Sequence, residues 1–190
     1  MEYALAVLGF AAFLCHDFQS VGRLKWRGFR FGFAAGAALW ATDFVWLIAV
    51  CARFTVPARL IPWSTAALVS LAAELYALFF ALPFEKTYLR PDGTRRVCRD
   101  GLYGLCRHPG FWPFAAFCAC LTLAAPCGRM AAGAGLLTAL DLAYIALQDA
   151  VIFPYTFSDY SDYQAGVPFL FPDAAAWRRF FASMKRGEKA

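Results

Sequence analysis

Apolar residues along this 190-residue chain fall into runs separated by short polar stretches. A spanning helix needs about 20 mostly apolar residues. Residues 31–51 meet that length with Asp43 as their only charge, and residues 63–84 meet it with Glu74. Residues 130–154 form a third such run, carrying Asp141 and Asp149. The uncharged run 111–127 is shorter, as is the N-terminal run 1–15, which ends at His16-Asp17. Together the runs predict an all-α polytopic membrane bundle of about five transmembrane helices. Pro126, Cys127 and Gly128 predict a tight turn between the last two, which makes them an antiparallel hairpin.

Composition supports a bilayer as the solvent. The chain is 61% hydrophobic and 16% charged, where a soluble domain carries roughly a quarter charged residues. Residues 1–190 therefore read as one integral membrane domain. The net charge of +5 does not point to nucleic acid, because Lys and Arg gather just outside the apolar runs rather than along one helix face. Arg23, Lys25, Arg27 and Arg30 follow the first run. Lys86, Arg90, Arg95, Arg96, Arg99 and Arg107 follow the third, and Arg178, Arg179, Lys185, Arg186 and Lys189 lie in the C-terminal tail. Only Arg53, Arg59 and Arg129 occupy the opposite connections. The positive-inside rule then puts the N-terminus outside and the tail in the cytoplasm. The acidic start, MEYALAV, lacks the marks of a cleaved signal peptide. In the tail, AWRRFFASMKR within 173–190 suits an interfacial helix on the inner leaflet.

Seven cysteines without a C-x-x-C pair read as reduced packing residues, five of them in or at the ends of apolar runs. With His16 and His108 as the two histidines, a histidine-rich di-iron centre is excluded. No zinc ligand set stands at useful spacing either, so no metal is expected.

Ionisable groups inside spans are functional suspects. Asp141, Tyr144, Gln148 and Ile152 share one helical face, with Asp149 beside it. That stripe either lines a cofactor or substrate cavity or bonds a neighbouring helix, for instance through Thr138. Asp43 and Glu74 either pair with an Arg near an interface or line the same cavity. His16-Asp17 reads as an interfacial pair. Arg107-His108-Pro109 stands at a helix entrance, where Pro109 restricts the residue before it and so directs Arg107 and His108. The partial positive charge of the helix N-terminus beyond suits a carboxylate or phosphate.

These residues carry a resemblance. Gly101-x-Tyr103-x-x-x-Arg107-His108-Pro109-x-Phe111 resembles the G-x-Y-x-x-x-R-H-P-x-Y-x-G signature of the isoprenylcysteine carboxyl methyltransferase and phospholipid methyltransferase superfamily. A second block resembles that family's Glu pair, Tyr-x-x-Tyr and Val-Pro, here Gln148-Asp149, Tyr160, Tyr163, Val167-Pro168 and then Pro172. The resemblance covers residues 85–172. It implies a membrane enzyme that binds S-adenosylmethionine at the cytoplasmic face and methylates a lipophilic acceptor. Such an acceptor is a prenylcysteine carboxylate, a phospholipid amine or a small hydrophobic metabolite.

Carried over, Gly101, Tyr103, Arg107, His108, Pro109, Phe111, Gln148, Asp149, Tyr160, Tyr163 and Pro168 line the cofactor pocket. Arg107, His108 and Asp149 take the catalytic roles. Asp141, Tyr144 and Glu74 are candidates for a substrate cavity from their own place as polar groups inside apolar runs, not from the resemblance. Arg107 is suited to a bidentate pair with the cofactor carboxylate, and His108 to orienting the cofactor or accepting a proton. Phe111, Pro113 and Gln148 depart from the family's Tyr, Gly and first Glu. Two other readings stand beside this one: a steroid- or sterol-type membrane reductase using NADPH, and a non-catalytic relative that binds a lipid or membrane partner.

Overall fold

A computed structural model describes residues 3–81 and 95–187, and among the described residues there is no strand. Lys86, Arg90, the end of the run 63–84 and the start of the 85–172 region lie outside the described residues, as does Lys189 of the tail. The helices are α1 (Ala4–Ser20), α2 (Gly32–Cys51), α3 (Pro57–Phe79), α4 (Leu102–Leu105), α5 (Phe111–Ala124), α6 (Gly128–Leu147), α7 (Phe153–Thr156), α8 (Tyr160–Gly166) and α9 (Ala174–Gly187).

Three helical stretches, Gly28–Phe54, Pro57–Phe79 and Gly128–Thr156, are long and apolar enough to cross a membrane. The helices α1 and α5, of 17 and 14 residues, are shorter than that. Two boundaries differ from expectation. The first helix runs on to Ser20, so His16 and Asp17 lie within it rather than at its end. The third begins at Pro57, because proline at the first helical position forfeits only an N–H that has no helical partner there.

One compact unit comprises Met1–Leu71 and Phe114–Gln148. Phe10, Phe13, Leu47, Phe114, Met130 and Leu137 build its core. Helices α1 and α2 meet through glycines four residues apart, a spacing that lets backbones approach closely. A Cβ on Gly32 would lie 2.6 Å from the Ala12 carbonyl oxygen, and one on Gly36 would lie 2.8 Å from that of Gly9. Outward-facing α3 is apolar, with Ile61 75% and Leu68 66% exposed, which suits lipid rather than water. The predicted turn is present: the Cys127 sulfur accepts a hydrogen bond from the Met130 N–H and caps α6.

The cysteine expectation is corrected here, since Cys51 and Cys127 form a disulfide. Each lies at a helix end, and their Cα atoms are 6.5 Å apart, within reach of such a bond. Five cysteines remain free.

The second unit comprises Ala72–Pro113 and Asp149–Ala190, with Phe157, Tyr160, Tyr163 and Val167 at its centre. Between α6 and α7 the chain forms a π-helical turn, Gln148–Ile152. Pro154 explains it, because its ring cannot accept the carbonyl of Ala150 in a regular α-turn and has no N–H to donate. The π turn begins only at Gln148, so Tyr144 and Gln148 keep their common face and the offset falls on Ile152. Asp173 caps α9 by accepting from the Ala176 N–H at 2.6 Å.

Candidate active site

In the second unit the two sequence blocks run side by side. The Ser158 N–H donates to the Arg95 carbonyl, and Asp159 Oδ1 accepts from the Val97 N–H. Farther along, the Arg107 N–H donates to the Pro168 carbonyl at 2.9 Å and the His108 N–H to that of Phe169. Trp112 closes the sequence by donating its indole N–H to the Leu170 carbonyl.

Asp149 is the centre of this arrangement. Its carboxylate accepts from Arg107 Nε at 2.7 Å and Nη2 at 3.0 Å, from Tyr160 Oη at 2.5 Å, from Gln164 Nε2 at 3.0 Å and from His108 Nε2 at 3.3 Å. The Arg107 Nη1 hydrogens go to the carbonyls of Gln164 and Val167. Four of the five guanidinium N–H groups are thus engaged inside the protein. Arg107 makes its bidentate carboxylate pair with Asp149 rather than leaving it for a ligand. The single remaining N–H, on Nη2, is what it can offer outward.

His108 is buried and lies between the rings of Phe153 and Phe169, with centroids 5.8 and 5.0 Å away. A carboxylate only accepts, so Nε2 carries the hydrogen shared with Asp149. Nδ1 has no hydrogen-bond partner among the described residues and is the ring atom left for proton exchange. Tyr163, also buried, donates to the Tyr103 carbonyl at 2.7 Å, and Tyr103 donates to the Ala77 carbonyl. Burial pushes the Tyr160 and Tyr163 phenols up, with the Asp149 hydrogen bond adding to the shift at Tyr160. Burial also pushes the Cys106 thiol up to about 11.

Local backbone requirements account for the motif. Gly101 adopts φ 60°, ψ −136°, open to glycine alone. Pro109 precedes α5, and Pro113 falls in its first turn, where no helical N–H is lost. Phe111 is half-buried, edge-on to Trp112. Glu74 reaches the motif from α3: a Cβ on Gly110 would lie 3.1 Å from each of its carboxylate oxygens.

Three expected site residues lie in the other unit. Gln148 donates to Asp17 Oδ2 at 2.8 Å, as does Tyr144 at the same distance, so both serve interhelical bonding to α1. Asp141 is half-buried and outside that set, and Thr138 bonds its own helix at the Ala134 carbonyl. Asp43 pairs with no Arg: it is buried, and neither carboxylate oxygen has a partner among the described residues. Sequence reasoning missed Gln164, which carries no motif signal, and underrated Asp17, whose polar partners lie far away in the chain.

Compared with known proteins, the chain matches no family model, no curated protein and no solved structure. The described residues define an all-helical protein with three helices able to cross a membrane and a buried Arg-Asp-His-Tyr cluster beside them in sequence.

Proposed function

We propose that the chain is an integral membrane methyltransferase of the isoprenylcysteine carboxyl methyltransferase and phospholipid methyltransferase superfamily. On this reading it uses S-adenosylmethionine and acts on a lipophilic acceptor at the cytoplasmic face. The observation that carries the reading is the union of its two motif blocks, about 40 residues apart in sequence, around the single carboxylate of Asp149. A five-span bundle with N-terminus outside and α9 lying on the inner leaflet belongs to the same reading. The Cys51–Cys127 disulfide supports that orientation, since it joins helix ends opposite the basic segments.

The residues suit the cofactor with one change of role. S-adenosylmethionine, when bound, supplies a methyl group activated by a sulfonium. Glu74 and His108 Nδ1 offer acceptors for its ammonium or hydroxyl groups, and the last Arg107 N–H offers one donor for its carboxylate. Arg107 is therefore chiefly a positioning residue: it holds Asp149, and Asp149 holds His108. With Nε2 fixed, His108 presents Nδ1 to take a proton from an amine, phenol or thiol acceptor. A carboxylate acceptor needs no base and leaves that nitrogen idle.

A second reading, a non-catalytic relative, draws on the same cluster, because a carboxylate with five donors is what a purely structural node requires. Titration of S-adenosylmethionine into the purified chain, with His108→Asn and Glu74→Gln beside it, separates the two. Saturable binding weakened in both variants supports the methyltransferase. Absence of binding to the folded wild type overturns it, and NADPH binding in the same assay would favour the reductase.

A further inference from the structure

The second unit presents a helix face that the Asp149 cluster does not use. Helix α9 packs on α4, and its inner face carries Ala176, fully buried, with Phe180 and Ser183 half-buried beside it. Trp177 and Phe181, one turn apart, leave that face and are 46% and 56% exposed. Their rings stack with centroids 5.9 Å apart, and Phe180 stands edge-on to both. Arg178 and Arg179 are exposed next to this aromatic stripe, and Lys185 and Arg186 repeat the pair seven residues on in sequence. No acid occurs between Ala174 and Gly187. Neither arginine forms an ion pair among the described residues. An aromatic stripe accompanied only by cations fits a surface that is apolar and anionic at once.

The packing of α9 sets that stripe beside the end of a helix able to cross a membrane. Tyr103 of α4 donates its hydroxyl to the Ala77 carbonyl at 3.0 Å. Ala77 lies in the last turn of α3, where carbonyls have no partner within the helix. Helix α9 also touches the first motif block. The Gly101 N–H donates to Ser183 Oγ at 3.3 Å, and that hydroxyl donates to the Phe180 carbonyl at 2.7 Å. One side chain thus joins the aromatic stretch of α9 to the glycine that turns the chain into α4.

We propose that α9 docks on a membrane surface rich in anionic phospholipid. Through Ser183 and Gly101 this docking steadies the segment that leads into Arg107 and His108. The proposal rests on the inner-leaflet placement of α9 in the reading above, and not on methyl transfer.

Hydrogen exchange of the full chain tests it, in nanodiscs of phosphatidylcholine alone against discs that also contain phosphatidylglycerol. Amides of Ala174–Gly187 are expected to exchange about tenfold more slowly in the anionic discs, and high salt should remove most of that difference. Amides of Gly101–Leu105 should slow with them. Arg178→Gln combined with Arg179→Gln keeps the aromatic stripe and should lose most of the dependence on lipid charge. Ser183→Ala should leave α9 protected while Gly101–Leu105 stops responding. Equal exchange of α9 in the two discs overturns the proposal, and that comparison needs no variant to fold. Slow exchange in both would keep α9 on the leaflet without charge selection, whereas rapid exchange in both would reserve the face for a protein partner. A response of α9 that leaves Gly101–Leu105 unchanged overturns the coupling. With no cofactor present, the outcome is separate from the S-adenosylmethionine titration, so the failure of one is told apart from the failure of the other.

Discussion

The guanidinium of Arg107 grips both carboxylate oxygens of Asp149, at 2.7 and 3.0 Å, with only 13% and 10% of the two side chains exposed. Breaking a buried pair by deleting one partner strands the other charge, at a cost of about 3–5 kcal/mol. Arg107→Ala should therefore lower the melting temperature in detergent. It should also release the amides of α8 to hydrogen exchange. Unchanged protection across Tyr160–Gly166 would show that the pair does not hold this region together.

Gly101 of the motif and its neighbour Gly104 predict different failures. Gly101→Ala forces a side chain into a backbone region that costs on the order of 1–3 kcal/mol. At Gly104 the obstacle is contact, since a Cβ would lie 2.7 Å from the Arg99 carbonyl oxygen. Gly135→Ala, with open space at its Cβ, is the neutral control. Thermal melts of the three variants should place Gly135→Ala with the wild type and both others below it.

The disulfide is countable. Denatured without reductant and alkylated, the chain should gain five iodoacetamide adducts, one for each free cysteine. After reduction it should gain seven, matching its cysteine content. Seven adducts before reduction would refute the Cys51–Cys127 bond. Its loss in a Cys51→Ser, Cys127→Ser variant should cost about 2–4 kcal/mol.

Alkaline pH should destabilise the second unit. From the ordinary thiol value of 9.0 to about 11, an unfolded chain ionises Cys106 while the folded chain keeps its proton. The unfolded state therefore binds fewer protons there, and stability falls as pH rises. Tyr160 and Tyr163, also pushed up by burial, extend the loss above pH 10.0. Melting temperatures measured from pH 7 to 11 should decline over this range, and Cys106→Ala should flatten the part between 9 and 11.

Much of the helical layout was legible in the chain, because a bilayer demands long apolar runs and backbone bonding within each segment. The match of 31–51 to Gly32–Cys51 and the turn at Cys127 both follow from local rules. The motif residues Arg107, His108, Asp149 and Tyr160 were legible as candidates from their types and spacing. Their division of labour was not. Whether Arg107 faces a ligand or Asp149 depends on which carbonyls and carboxylates the fold brings within 3 Å, and hydrogen bonds spanning 42 to 60 residues leave no local trace. The same holds for Gln148. Its helical spacing put it on the face of Tyr144, but only the approach of α1 decided that both donate to Asp17. Local sequence determined where helices start and stop in this protein. Tertiary structure decided which polar groups satisfy one another, because that pairing is settled only when distant segments share one buried space.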